Sequence, residues 1–256
     1  MTDLRRHTFE PDGRAIPYAT EGEGPAIVLL PGEGLNTVYL ATLAHVLTEE
    51  DFQVVRIGSR RAAEGVTMHD LAKDVLDVLD ELGVDHAWIG GHAFGGAVAR
   101  TFAHDHHDRV NGVLMLGATA SVPASAEAQA ALDVVFGDPT DAEALAVIEQ
   151  LIGTTADAAH AWTIIKASRD AEVAPMQRAA LAATPTAEWA TIAEGVPVLV
   201  IQGSDDRVTP PAGGEEVRAS APALVSVTSV DGGGHFFAAT HPGETSAIIE
   251  DYLDWD

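Results

Sequence analysis

Short apolar, β-branched runs alternate along this chain with stretches of helical periodicity. Ala26-Ile27-Val28-Leu29-Leu30 has no polar interruption. Such a run predicts a strand covered on both faces, as in a parallel sheet. Further runs predict strands at 52–57, 87–89, 113–116, 196–201 and 224–230. Between them the period becomes helical. Thr67-Met68-His69-Asp70 has the form of a capping box, Leu71, Val75, Val78, Leu79 and Leu82 then recur on one face, and Gly83 ends the run. Residues 94–104 and 245–255 predict two more helices. Strand–helix alternation implies βαβ units and an α/β fold with a mostly parallel, doubly wound sheet.

Two stretches depart from this rhythm. Residues 1–24 contain two short segments around Asp12-Gly13, which predicts a hairpin leading the sheet. From about 120 to 193 no strand pattern occurs. Alanine dominates there, with Trp162, Ile164, Ile165 and Met176 as the larger apolar groups. This reads as an inserted helical segment within one domain spanning 1–256.

Composition narrows the classes. The chain has 256 residues, 46% hydrophobic and 21% charged, enough for one α/β domain with a full core and too apolar for global disorder. Its apolar runs fall far short of the roughly 20 residues that a membrane span needs. Met1-Thr2-Asp3-Leu4-Arg5-Arg6 has no apolar signal-peptide region, so a cytoplasmic location is expected. There is no cysteine, hence no disulfide, thiolate metal site or cysteine nucleophile. A net charge of −25, from 39 acidic and 14 basic residues, disfavours nucleic acid and anionic membranes as partners. The acid excess, with Lys73 and Lys166 the only lysines, fits a high-salt cytoplasm and equally the codon habit of a GC-rich genome.

The most informative segment is Ile89-Gly90-Gly91-His92-Ala93-Phe94-Gly95-Gly96. It follows a predicted strand and opens a predicted helix. Gly91 and Gly95 flank Ala93 at the spacing of a nucleophile elbow, G-x-S-x-G, with alanine where serine belongs. Such an elbow holds its central residue in a strained conformation, and glycine neighbours let the chain pass close by. Asp205-Asp206 follows the strand at 196–201, and His235 follows the strand at 224–230. Taken singly, each has a plain reading: a helpful turn, a solvated acidic pair, a loop histidine. Together they form an ordered set of elbow, acid and base.

That set resembles the α/β-hydrolase superfamily over nearly the whole chain, closest to esterase, lactonase and haloperoxidase-like members with a helical cap. The resemblance implies an α/β-hydrolase fold, a small-molecule substrate, and no metal or organic cofactor. It puts Ala93 at the nucleophile position, makes Asp206 rather than Asp205 the acid, and makes His235 the general base. It assigns the oxyanion hole to the backbone N–H groups of Phe94 and of Glu33, the latter in Pro31-Gly32-Glu33-Gly34, where the family usually has His-Gly. The Glu33 carboxylate must then point away from the hole.

A methyl group at position 93 cannot form an acyl-enzyme. Three readings stay open. Ala93 replaces a serine removed from a working ester or lactone hydrolase. Or Ala93 is native, and the His235–Asp206 pair acts as a general base on water or, lyase- or isomerase-like, on the substrate. Or the protein is an inactive binder of small molecules.

Other residues take plainer readings. His104, Asp105, His106 and His107 match no zinc spacing and read as a solvated helix end. His92 reads as packing beside the elbow. Arg60-Arg61 reads as a surface pair, with substrate-carboxylate binding as the alternative. Trp162 and Trp189 read as packing the cap onto the sheet, with pocket lining as the alternative. His45, His69, His86 and His160 read as structural.

Overall fold

A computed structural model of the chain describes residues 5–61, 63–121 and 123–254. The ends of the predicted hairpin and of the last helix, at Met1–Leu4 and at Trp255, lie outside the described residues. Eight strands form one sheet: β1 (Arg5–Phe9), β2 (Ile16–Glu21), β3 (Ala26–Leu30), β4 (Gln53–Ile57), β5 (Ala87–His92), β6 (Val110–Leu116), β7 (Val198–Gly203) and β8 (Val225–Val230). Their order is β1-β2-β4-β3-β5-β6-β7-β8. β1 and β2 pair antiparallel around a turn at Pro11–Gly13, and β2 pairs antiparallel with β4. All other pairings are parallel.

From β3 the chain runs to β4 on one side and then to β5 on the other. The switch point therefore lies between β3 and β5, the place at the carboxyl ends of the strands where sheets of this kind bind ligands. The loop after β3 and the turn after β5 meet there.

Alternation along the strands builds two cores. Val28, Leu30, Ile89, Val113 and Met115 face one layer with α2 (Met68–Leu82) and α3 (Phe94–Asp105). Ile27, Leu29, Trp88, Leu114 and Leu116 face the other with α1 (Ala41–Glu49) and the last helix, α12 (Pro242–Leu253). Each buried aliphatic side chain contributes about 1.5–3 kcal/mol. In α2, Thr67 and Asp70 form the expected capping box, and Gly83 ends the helix at φ 67°.

Between β6 and β7 the described residues form no strand of the sheet but six helices: α4 (Ala126–Val135), α5 (Asp141–Val147), α6 (Glu149–Ile152), α7 (Ala158–Ser168), α8 (Ala174–Ala183) and α9 (Thr186–Trp189). Side chains of Ser125, Thr140 and Asp157 cap α4, α5 and α7. Helices α4–α7 join the core beside α1, whereas Met176 and Ala180 of α8 join the core beside α3.

Helix α3 holds both stems of this insert. Arg100 is 2% exposed and has no carboxylate partner among the described residues. Its guanidinium donates to the carbonyls of Thr119 (3.1 Å), before the first insert helix, and Ala190 (2.8 Å), just after the last, and lies over the Trp189 ring. His104 donates to Thr191 O (3.2 Å) and His107 to Glu194 O (2.8 Å). These histidines are tethers, not a merely solvated helix end.

Other departures from the expected elements have local causes. β5 extends three residues past Ile89, because Gly90, Gly91 and His92 pair with Leu114, Met115 and Leu116 without any apolar signal. β8 is an edge strand with partly exposed inner positions, so burial on both faces fails there. α1 and α10 (Pro211–Ser220) are not evident from periodicity. In α10, Gly213 and Gly214 replace larger apolar groups because the helix packs closely on Gln202 and Ala118. Among α11 (Phe237–Thr240) and α12, the latter begins at Pro242, three residues before the expected start.

Candidate active site

Ala93 sits between β5 and α3 at φ 46°, ψ −103°. A positive φ with this ψ lies outside the basins open to L-residues. The turn is imposed by its surroundings. Ala93 N–H is bonded to Leu116 O at 2.9 Å, and Gly96 N–H and Ala97 N–H return to Ala93 O. A methyl group on Gly91 would collide with the Gly95 backbone, and one on Gly95 with the backbone of Leu30 and Pro31. The two glycines thus let α3 start directly against β5 and β3. Ala93 itself is partly exposed.

Asp206 and His235, expected from the loops after β7 and β8, are brought together. His235 Nδ1 lies 3.1 Å from Asp206 Oδ2, and both residues are buried. A carboxylate only accepts, so Nδ1 carries the proton and Nε2 is the nitrogen left to act as a base. Asp206 is held on both oxygens. Oδ1 accepts from Val208 N–H (2.8 Å) and Thr209 N–H (2.9 Å), and Oδ2 from the Thr209 hydroxyl (2.6 Å). Burial would raise the Asp206 pKa. The facing His235 and the hydrogen bonds from His235 and Thr209 outweigh it and leave the carboxyl below its ordinary value. Asp205 turns away, accepting from Thr154 N–H and the Thr154 hydroxyl.

Sequence reading overlooked Thr209, although an acid accepting from the amides two and three residues on is a recognisable turn signature. It also undervalued His92. That ring is 1% exposed and 4.6 Å from the His235 ring, and its Nε2–H donates to the His235 carbonyl at 2.8 Å. Burial, with repulsion from His235, lowers its pKa to about 3, so it stays neutral and fixes the backbone of the base.

Phe94 N–H belongs to the first turn of α3, where a helix leaves its donors free. Glu33 follows β3 in a turn closed by Leu35 N–H to Gly32 O at 3.2 Å. Its carboxylate pairs with Arg178 of α8 at 2.5 Å, so its charge is taken up by the insert. The insert also supports the loop after β8. Gly234 N–H is bonded to Ile152 O, Phe236 N–H to Leu151 O, and Thr154 N–H to Gly232 O.

The remaining expectations separate. Arg60 is not a surface residue. It is 8% exposed and clasps both oxygens of Asp74, at 2.5 and 2.7 Å. Arg61 is exposed and lines a cleft of about 740 Å³ with Glu10, Ser59, Asp170 and Glu172. Trp162 packs in the core, its Nε1–H bonded to Asp141 at 2.8 Å. Trp189 packs against α3 under Arg100. Among the described residues no group of three or more His, Asp or Glu is placed to hold a metal ion, and no helix is long and apolar enough to cross a membrane.

An elbow and an acid–histidine pair, all at the carboxyl edge of one sheet beside its switch point, define a hydrolase-type α/β scaffold. The sequence model of the alpha/beta hydrolase fold family matches residues 25–163, and the chain belongs to that family. It is 26% identical over 267 residues to an uncharacterized protein of Mycobacterium tuberculosis, covering 93% of this chain and 77% of the relative. It is 30% identical over 121 residues to a soluble epoxide hydrolase of Corynebacterium sp., covering 45% of this chain and 42% of the relative. Among solved structures, a thermophilic esterase from Thermogutta terrifontis superposes with TM-score 0.74 at 24% identity, covering 98% of each chain. A meta-cleavage product hydrolase from Pseudomonas fluorescens, solved as a serine-to-alanine mutant with acetates, gives TM-score 0.78 at 17% identity, covering 97% of each chain. At these identities the structural likenesses bear on the fold alone.

Proposed function

We propose that the protein is a small-molecule hydrolase acting on esters or lactones, in which His235 is the general base and Ala93 excludes a covalent step. The observation that carries this reading is the buried Asp206–His235 pair, with Nδ1 engaged by the acid, in a structure that also keeps a strained elbow. Holding Ala93 in that conformation costs about 1–3 kcal/mol, a cost without purpose in a plain turn.

With alanine at 93, water is the nucleophile. His235 Nε2 takes a proton from water as the oxygen bonds to the carbonyl carbon. Asp206 keeps Nδ1–H directed and stabilises the imidazolium that results. The carbonyl oxygen gains the negative charge, and the N–H groups of Phe94 and Glu33 are the proposed donors toward it. Collapse of the tetrahedral intermediate breaks the acyl C–O bond. His235 returns its proton to the departing alkoxide, leaving acid and alcohol, or a hydroxy acid from a lactone.

The expected outcome is slow turnover of short esters or lactones that His235→Ala abolishes. Unchanged turnover in His235→Ala removes the pair from the mechanism. Binding of a panel member without turnover in either form favours a binder. Proton exchange at a substrate carbon without hydrolysis favours a lyase- or isomerase-like base.

A further inference from the structure

The insert contributes one side chain whose placement packing does not explain. Gln177 of α8 is fully buried, at 0% exposure. A buried amide is costly unless bonded. Both ends of this one are used: Oε1 accepts from Gly34 N–H at 2.8 Å, and Nε2 donates to Ser59 Oγ at 2.8 Å. We propose that Gln177 is a positioning residue that fixes the loop carrying the Glu33 N–H, so that the helical insert aims one side of the oxyanion hole. This rests on the hydrolase reading above.

The geometry of the turn makes such a support necessary. Gly32–Leu35 is closed by one bond of 3.2 Å, and Gly34, its third residue, has φ 67°. A positive φ there is the signature of a type II turn, which interconverts with type I by rotation of the central peptide. Glycine favours neither form strongly. Rotation of the Glu33–Gly34 peptide would turn the Gly34 N–H away and bring the Glu33 carbonyl toward Gln177 Oε1, acceptor against acceptor. The insert also holds the far side of the turn, through Asp170 N–H to Gly34 O (2.7 Å) and Asn36 N–H to Ser168 O (2.8 Å). Those two bonds use the backbone. Gln177 is the side chain that selects the orientation of the Glu33–Gly34 peptide, and it thereby anchors the residue whose preceding peptide carries the Glu33 N–H.

The test is made in the Ala93→Ser background, with a short ester as substrate. Gln177→Leu keeps the volume and loses both bonds. The expected result is a fall in kcat of about 10- to 100-fold, short of the 10²–10³ for outright loss of an oxyanion donor. KM should stay within about twofold, because ground-state contacts are untouched. Gln177→Glu can accept from Gly34 N–H and from a Ser59 hydroxyl turned to donate, and should recover most of kcat. Amide exchange gives a readout independent of activity. Gly34 N–H should exchange at least about tenfold faster in Gln177→Leu and regain protection in Gln177→Glu, with β5 amides unchanged. Unchanged Gly34 exchange overturns the proposal. So does faster exchange with unchanged kcat, because the loop would then be held without aiming a donor. Absence of turnover in both the Ala93 protein and its Ala93→Ser variant refutes the hydrolase reading instead, and the exchange arm still decides whether Gln177 holds the loop.

Discussion

Replacing Ala93 by glycine should make the protein more stable, opposite to the usual effect of glycine. At φ 46°, ψ −103° an alanine carries about 1–3 kcal/mol of backbone strain, which glycine does not feel. Against this, glycine adds unfolded-state entropy worth about 0.5–1 kcal/mol. Ala93 is partly exposed, so the methyl group contributes little burial of its own. The net expectation is a gain of about 1 kcal/mol, with a range of about 0–2. For a chain of this size that raises Tm by about 2–4 °C per kcal/mol. Urea unfolding followed by circular dichroism gives the change in midpoint. The slope m should be unchanged, because the same surface is exposed. Ala93→Ser keeps a Cβ and should match the parent within about 0.5 kcal/mol. A loss of about 1 kcal/mol in Ala93→Gly, as at an ordinary helical position, would refute the strained elbow.

Two further substitutions test the attachment of the insert. His69 of α2 contacts Asp105 of α3 through Nδ1 (2.7 Å) and Glu188 of α9 through Nε2 (2.8 Å). Two accepting carboxylates require both ring nitrogens protonated, and the bonds to Glu188 and Asp105 raise the His69 pKa against the smaller opposing effect of burial. A raised folded-state pKa stabilises fully below the unfolded value near 6.5 and is lost as pH rises through the folded pKa. The stability difference between parent and His69→Gln should therefore be larger at pH 5.5 than at pH 9; a difference independent of pH contradicts the latch. Arg100→Leu leaves the Thr119 and Ala190 carbonyls without their donor and should cost about 2–4 kcal/mol in urea unfolding. A cost below about 1 kcal/mol would mean that water replaces the clamp.

The sheet was legible in the sequence where burial on both faces leaves an uninterrupted apolar run, as in β3 and β7. It was less legible where glycine continues a strand, as at Gly90-Gly91, or where the strand lies at an edge, as in β8. The elbow, acid and base stood out because each is local: a few residues at a fixed spacing, directly after a strand. The supports around them are not local. Gln177 meets Gly34 across 143 positions, and Arg100 reaches Ala190 across 90. No single-chain pattern encodes such partners. Arg60 misled for a related reason, since the charge of Asp74, its buried partner, reads as solvated when each residue is taken alone.

The most direct test of the account is pre-steady-state ester hydrolysis by this protein and its Ala93→Ser variant, on short acyl p-nitrophenyl esters. The serine form should release a burst of p-nitrophenol near one equivalent per active site, then turn over far faster than the alanine form. The burst should vanish in the double variant that also carries His235→Ala. No turnover across esters and lactones in either the parent or a correctly folded Ala93→Ser protein would contradict the claim that this elbow, base and oxyanion loop form an ester-hydrolysing site.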